Sequence, residues 1–330
     1  MGQGLKAVGG NPASPPYRNG PYTWDQHVTF SKGINGIMNG GKTYYVDSSR
    51  STSDNGLSWT KAFITIAEAV AASLAAGGHH DTILIKGTDN EDSDSNPVND
   101  YSESVTIDAS QVGLRLIGMG NGPEGVKWTV GTAEGIILTI NAIDCVVENI
   151  RFRPNGAASG AAIFLSANAD LTKNANGTQI RNCIFRSTTE TALAGIQTEG
   201  ASDVIVENNV FTSVATAVLQ NTTPNSVSYR MIIRNNLVDD KCTNGFVIDG
   251  RSCLLDNNKF AGAGLTMIIN TKASSGTGSY NIVKNHTFKV TAYETNCTGC
   301  ATDDWWFNYC DDTESSTVSA AYLTIGIPTA

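Results

Sequence analysis

One short pattern recurs through the second half of the chain and leaves it few folds: a few apolar residues, an asparagine, and a further apolar residue three positions on. Its six copies are VVENIRF with Asn149 and Phe152, QIRNCIF with Asn182 and Phe185, IVENNVF with Asn208 and Phe211, IIRNNLV with Asn235 and Val238, LLDNNKF with Asn257 and Phe260, and IVKNHTF with Asn285 and Phe288. Successive asparagines stand 33, 26, 27, 22 and 28 residues apart. A period of that length is one turn of a solenoid with loops of variable size.

Each copy holds strands of only three to five residues, too short to be stable alone. Coiling places each about 4.8 Å above the last, so that its backbone bonds to both neighbouring rungs and its inward side chains stack on their equivalents. Phe152, Phe185, Phe211, Phe260 and Phe288 are then expected in one internal aromatic and aliphatic column. The asparagines mark a bend that favours left-handed backbone angles, and form a structural Asn ladder of Asn149, Asn182, Asn208, Asn235, Asn257 and Asn285. Weaker rungs at TILIKG (82–87) and GLRLIGMG (113–120) bring the expected count to about eight turns, roughly 40 Å of rod.

The open end of such a rod is a sheet edge and needs a cap. TKAFITIAEAVAASLAAGG supplies one: Phe63, Ile66, Ala67, Val70 and Leu74 fall on one helical face, Thr60 is placed to cap the N-terminus, and Gly77 and Gly78 end the run. TYYVDSS before it reads as a first strand. The first 40 residues have no sustained period and are rich in Gly, Pro and Asn, the composition of an extended arm. The expected organisation is an arm over 1–40, first strand and capping helix over 41–80, the coil over 81–290, and a C-terminal cap or subunit-interface segment over 291–330.

The order YYVDSS, polar loop, GLSWTKAFITIAEAV and Asn-marked rungs resembles the pectate-lyase-like right-handed parallel β-helix superfamily over residues 43 to 290, in the form found in phage virion and appendage proteins. The resemblance implies an all-β fold: a right-handed parallel β-helix (solenoid) with an N-terminal capping α-helix and an extended N-terminal arm. It constrains function only loosely, because that fold hosts lyases, hydrolases, tailspikes and noncatalytic surface proteins.

Charge excludes one class of partner. A net charge of -9 with only 16% charged residues does not suit a phosphate-tracking surface, so no nucleic acid is expected. No apolar run of signal-peptide or membrane-spanning length is present, and the expectation is a chain without a cleaved export signal or a transmembrane segment. Seven cysteines, at 145, 183, 242, 253, 297, 300 and 310, cannot all pair. Cys145, Cys183 and Cys253 lie in or beside apolar runs and read as small buried hydrophobes; the CTGC at Cys297 and Cys300, with Cys310 beyond, lacks the second pair and the His that zinc would want.

Enzymes of the superfamily imply either a Ca²⁺ site of clustered carboxylates with a Lys or Arg base, or paired carboxylates for hydrolysis. The GHG and RxK segments of its polygalacturonase-like members are missing here. Asp239 and Asp240 are the fallback catalytic candidates, although neighbouring side chains of a strand point to opposite faces. Trp305 and Trp306, after Asp303 and Asp304, are the candidate carbohydrate-binding residues, since aromatic faces stack on sugar rings. None of His27, His79, His80 and His286 lies near an obvious nucleophile. The acidic run DNEDSDSNPVND (89–100) lacks EF-hand spacing, so no metal or other cofactor is expected; Ca²⁺ belongs only to the lyase alternative.

The function expected on these grounds is that of a phage virion structural protein: a capsid- or tail-attached β-helical decoration or appendage, of tail-fibre or tailspike kind, assembled in the host cytoplasm and exposed on the virion surface. Residues 1–40 would hold a capsid or tail protein, the resemblance implies a homotrimer, and host surface glycan is the further partner. The alternative is a polysaccharide lyase or glycoside hydrolase of tailspike type.

Overall fold

A computed structural model of the chain describes residues 41–87, 101–120, 125–130, 135–154, 160–167, 173–187, 192–220, 228–239, 241–261, 265, 267–271, 280–290, 297–298, 303–306 and 308–312. The arm, the acidic run, Asp240, His27 and Cys300 lie outside the described residues. Each turn adds one short strand to each of three sheets, and every pairing within them is parallel. The first sheet has ten strands, from Thr43–Val46 to Asp304–Trp306; the second has nine, from Tyr101–Ser102 to Tyr309–Asp312; the third has eight, from Val105–Ile107 to Cys297–Thr298. This is the right-handed parallel β-helix.

The coil is longer than the eight turns expected, and it does not stop at residue 290. Asp304–Trp306 pairs with Ile282–Lys284, and Tyr309–Asp312 pairs with Thr287–Val290, so part of the tail read as a cap is a further rung. The reason lies in WWFNYC: Asn308 takes the place that the second residue of each Asn-marked bend takes elsewhere, and donates to the carbonyl of Val283 at 3.1 Å.

The core is a set of registered columns. On the inner side of the first sheet, Ile83, Leu116, Val147, Ile180, Val206, Ile233, Leu255 and Val283 stack rung on rung, with Tyr44 below and Trp305 above. All ten are buried. On the second sheet, Phe152, Phe185 and Phe211 stack with centroids 5.4 and 4.8 Å apart and planes within 9°. Trp128 extends that column at 5.5 Å, a member the repeat pattern missed. Phe260 is buried in the same column, while Phe288 pairs with it through the backbone and its side chain lies outside the described residues. The stack needs room on the opposite wall, and Gly195 provides it: a Cβ there would come within 2.7 Å of the Phe211 ring.

The six ladder asparagines all adopt left-handed angles, with φ between 51° and 62°. Asn tolerates that region because its short amide bonds locally. These residues make the bend; the residue after each one holds the stack together. Asn209, Asn236, Asn258, His286 and Asn308 are buried and form an inner ladder in which each side chain accepts the backbone N–H of the rung below: Asn209 to Asn236 at 2.9 Å, Asn236 to Asn258 at 2.9 Å, Asn258 to His286 Nδ1 at 3.0 Å, and His286 to Asn308 at 3.0 Å. The amides also donate to inner-strand carbonyls, Asn236 to Val206 and Asn258 to Ile233.

The N-terminal end is closed by the helix Ile66–Ala75, and its start corrects the sequence reading. Thr60 sits in a short 3-10 turn, because Phe63 is tied as extended chain to the first strand: its N–H donates to the carbonyl of Tyr45, and its own carbonyl accepts from Asp47. The helix cannot begin until that bridge ends, so Thr65 is the N-cap, in a reciprocal capping box with Glu68. The buried face is Ile66, Ala69, Val70 and Ser73, with Leu74 exposed. Glu103 accepts from the N–H groups of Ile66 and Ala67, and Gln111 donates to the carbonyl of Val70, which fixes the cap to the second and third rungs.

Two outcomes test this account. Asn236→Ala strands a buried amide N–H and a buried carbonyl, and is expected to cost roughly 2 to 5 kcal/mol; Asn235→Gly keeps the left-handed bend and is expected to cost under about 1 kcal/mol. Urea midpoints for the two variants decide it, and equal losses would reject the inner ladder. The second concerns His286, whose burial drives its pKa down from 6.5 to about 4, so that the fold holds it neutral. A depressed histidine stabilises fully above its unfolded value and loses that contribution as pH falls from about 6.5 to about 4, in total about 3 kcal/mol. Denaturation at pH 7.5 and 4.5 should show His286→Asn losing less stability than the parent by about that amount.

Candidate functional site

Because the inner faces are committed to packing, chemistry is confined to the outer faces and corners. Burial pushes the Cys145, Cys183 and Cys253 thiols up to about 12, which removes them as nucleophiles. Cys297 is buried in the inner column of the third sheet, paired in register with Ile269. Among the described residues, no three His, Cys, Asp or Glu side chains come together as a metal site.

The second sheet presents a row of cations. In Lys127–Thr129 and Arg151–Arg153 the central Trp128 and Phe152 point inward, so Lys127, Arg151 and Arg153 point outward. Arg186, after inward Phe185, stands one rung above Arg153. Four cations thus share three rungs of a chain whose net charge is -9. Lys127 and Arg151 are buried on that face, at 7% and 1% exposure, while Arg153 and Arg186 are half-buried. In register with Arg186 follow Thr212 and then Asp239, which is two rungs on, or about 10 Å. Arg151, Arg153 and Arg186 each already take part in an interaction within the chain, so this row is not a set of free cations.

The first sheet has a different outer face. Glu148, Arg181, Glu207, Arg234, Asp256 and Lys284 follow one another in register, alternating in sign. They close as pairs: Arg181 to Glu148 at 3.0 Å, Arg234 to Glu207 at 2.6 Å and Lys284 to Asp256 at 3.6 Å. Like charges one rung apart would repel by about 1 kcal/mol at the dielectric of water and about 3.5 kcal/mol near a protein surface, so the alternation is a condition of stacking. Beside it runs a half-buried stripe with Val146, Ile205, Ile232, Leu254 and Ile282, interrupted at Gln179.

Among the described residues, the sequence candidates Asp239 and Trp305 are not brought together. Asp239 ends a second-sheet strand, where its carboxylate accepts the N–H of Lys241 at 3.0 Å, an ordinary turn. Trp305 is not a sugar platform: at 3% exposure it closes the inner column of the first sheet, because the strand alternation turns it inward while Asp304 faces out. The Trp306 side chain lies outside the described residues. His79 and His80 are exposed after the cap helix, and His286 belongs to the inner ladder. The cation row and the ion-pair column were missed because each is assembled from rungs 22 to 33 residues apart, separated by strands with no common spacing. The signal was present once the Asn-marked copies are aligned: the residue just before each marked Asn runs Glu, Arg, Glu, Arg, Asp, Lys.

Three sheets, inner ladders and tight Asn bends define the class of protein as a right-handed parallel β-helix. Among solved structures, the chain is similar to Escherichia coli YbhC, with TM-score 0.51 and 10% identity over 90% of this chain and 79% of that one. It is similar to a rice weevil pectin methyl esterase, with TM-score 0.47 and 11% identity over 80% and 90% of the two chains, and to a Xanthomonas campestris pectate lyase, with TM-score 0.45 and 12% identity over 81% and 82%. At such identities the likeness is one of fold. The family model described as "Disaggregatase related" matches residues 141–244, and no curated protein matches the chain. No helix among the described residues is long and apolar enough to cross a membrane.

Proposed function

We propose that the chain is a noncatalytic shaft of a phage particle, a β-helical decoration or appendage fixed to a capsid or tail protein by residues 1–40 and exposed on the particle surface, where it meets host glycan. The observation that supports this reading is where the specific polar side chains stand. The buried Asn and His of the inner ladder and the six alternating charges of the first sheet all act along the axis, from rung to rung. Such investment in axial continuity suits a projecting, load-bearing rod. Imaging of particles from the source at subnanometre resolution tests it: rod density is expected on the particle surface, with the first 40 residues against a capsid or tail subunit. A chain absent from purified particles would end this reading.

One observation favours a second reading, a polysaccharide lyase or glycoside hydrolase. Asp239 shares its outward column with Arg153 and Arg186, so a carboxylate and two guanidinium groups line one face. Incubation with acidic and neutral glycans, with and without Ca²⁺, is the test. Release of unsaturated or reducing ends that disappears in Asp239→Asn would favour the enzyme over the shaft.

A further inference from the structure

The order of signs on the first sheet does more than keep like charges apart. Read from Glu148 to Lys284 it is acid, base, acid, base, acid, base, so reversing the column puts a base wherever there was an acid. Take a half-turn about an axis that runs along the strands, midway between the rungs of Glu207 and Arg234. It lays a second copy face to face with the first, with the two coils antiparallel. Glu207 then lies opposite Arg234, Arg181 opposite Asp256, and Glu148 opposite Lys284.

The same operation matches the neighbouring columns. The half-buried stripe meets itself, Ile205 opposite Ile232 and Val146 opposite Ile282, leaving Gln179 opposite Leu254 as the mismatched pair. At the corner before the sheet, Asp203 falls opposite Arg230, two residues already paired within one chain at 2.6 Å. Tyr280 stands in this corner at 66% exposure, and tyrosine is enriched at interfaces. A half-turn about an axis along the coil and over the charged column instead sets each charge against its own copy, like against like, which the repulsion above disfavours.

We infer that the outer face of the first sheet is an isologous interface for a second copy of this chain, packed antiparallel about a two-fold between the Glu207 and Arg234 rungs. The partner is identified by charge complementarity: the face is complementary to its own reversal. Six rungs of about 4.8 Å and a strand-plus-corner width of about 13 Å give a footprint of roughly 400 Å² per copy, half the standard interface of about 800 Å² per partner, so the pair is weak and concentration-dependent rather than obligate. The inference is distinct from the homotrimer that the family resemblance implies and does not depend on a particle role.

Sedimentation of the full chain from about 1 to 200 µM tests the inference across the range such an interface implies. The mass should climb from 34.8 kDa toward twice that value. Ile232→Asp, at the two-fold, should hold the chain at one copy with unchanged circular dichroism and melting. Reversing all six signs (Glu148→Arg, Arg181→Glu, Glu207→Arg, Arg234→Glu, Asp256→Lys and Lys284→Asp) keeps the alternation within one chain and its complementarity under the same rotation, so the reversed chain should pair with itself but not with the parent. Four results would each overturn the inference: one copy throughout, a three-copy mass, association indifferent to Ile232→Asp, or a reversed chain that stays at one copy.

Discussion

A parallel coil depends on every rung meeting the hydrogen-bonding groups of the next, at its corners as well as along its strands. Strands solve this by geometry alone, since parallel pairing satisfies both neighbours. Corners do not, because the chain turns there and buried amides would be left without acceptors. In this molecule the tightest corner is closed by side chains that imitate the missing strand. An asparagine amide presents an acceptor and donors like those of a peptide, so Asn209, Asn236 and Asn258 continue the ladder through the bend. His286 can replace one of them because Nδ1 is an acceptor while the ring is neutral, which its burial enforces.

That requirement also explains what could be read from the sequence. The left-handed asparagines were visible because they recur at a fixed place beside a phenylalanine, and the backbone angle restricts the residue type. Their successors were harder to see. Ile150, Cys183, Asn209, Asn236, Asn258, His286 and Asn308 share a position but not a chemistry, since a rung can close that place with an apolar side chain or a polar one. The opposite corner was invisible for the same reason. His80, Asp144, Asp203, Arg230, Ser252 and Tyr280 all have φ between 50° and 58°, yet nothing in their identity announces it. Trp305 was ambiguous in the sequence, because an aromatic pair beside two acids suits a surface, whereas in a strand one of two adjacent residues must face the core, and here it is Trp305 that does.

The same economy of position joins the outer charges to the proposed pairing. A column of alternating sign is the arrangement that lets six ionised side chains share one sheet face at one-rung spacing. Exposed pairs of this kind contribute little net stability, typically below about 1 kcal/mol each. Their effect is on register. Within one chain they penalise a rung placed out of order, and between two copies they select the antiparallel arrangement over the parallel one. The half-buried aliphatic stripe supplies the attraction that such charges cannot.

The freedom left to the chain lies at the other two corners. Between first-sheet and second-sheet strands, two residues intervene on every rung from Val146–Glu148 onward, since the inner ladder admits no others. Between third-sheet and first-sheet strands the connection from Ile140 onward runs 5, 12, 5, 11, 5 and 10 residues, long on every second rung. The constraint at the Asn bend therefore drives sequence variation to the edges of the third sheet, and the two-rung period of those edges matches the two-rung period of the charges on the first.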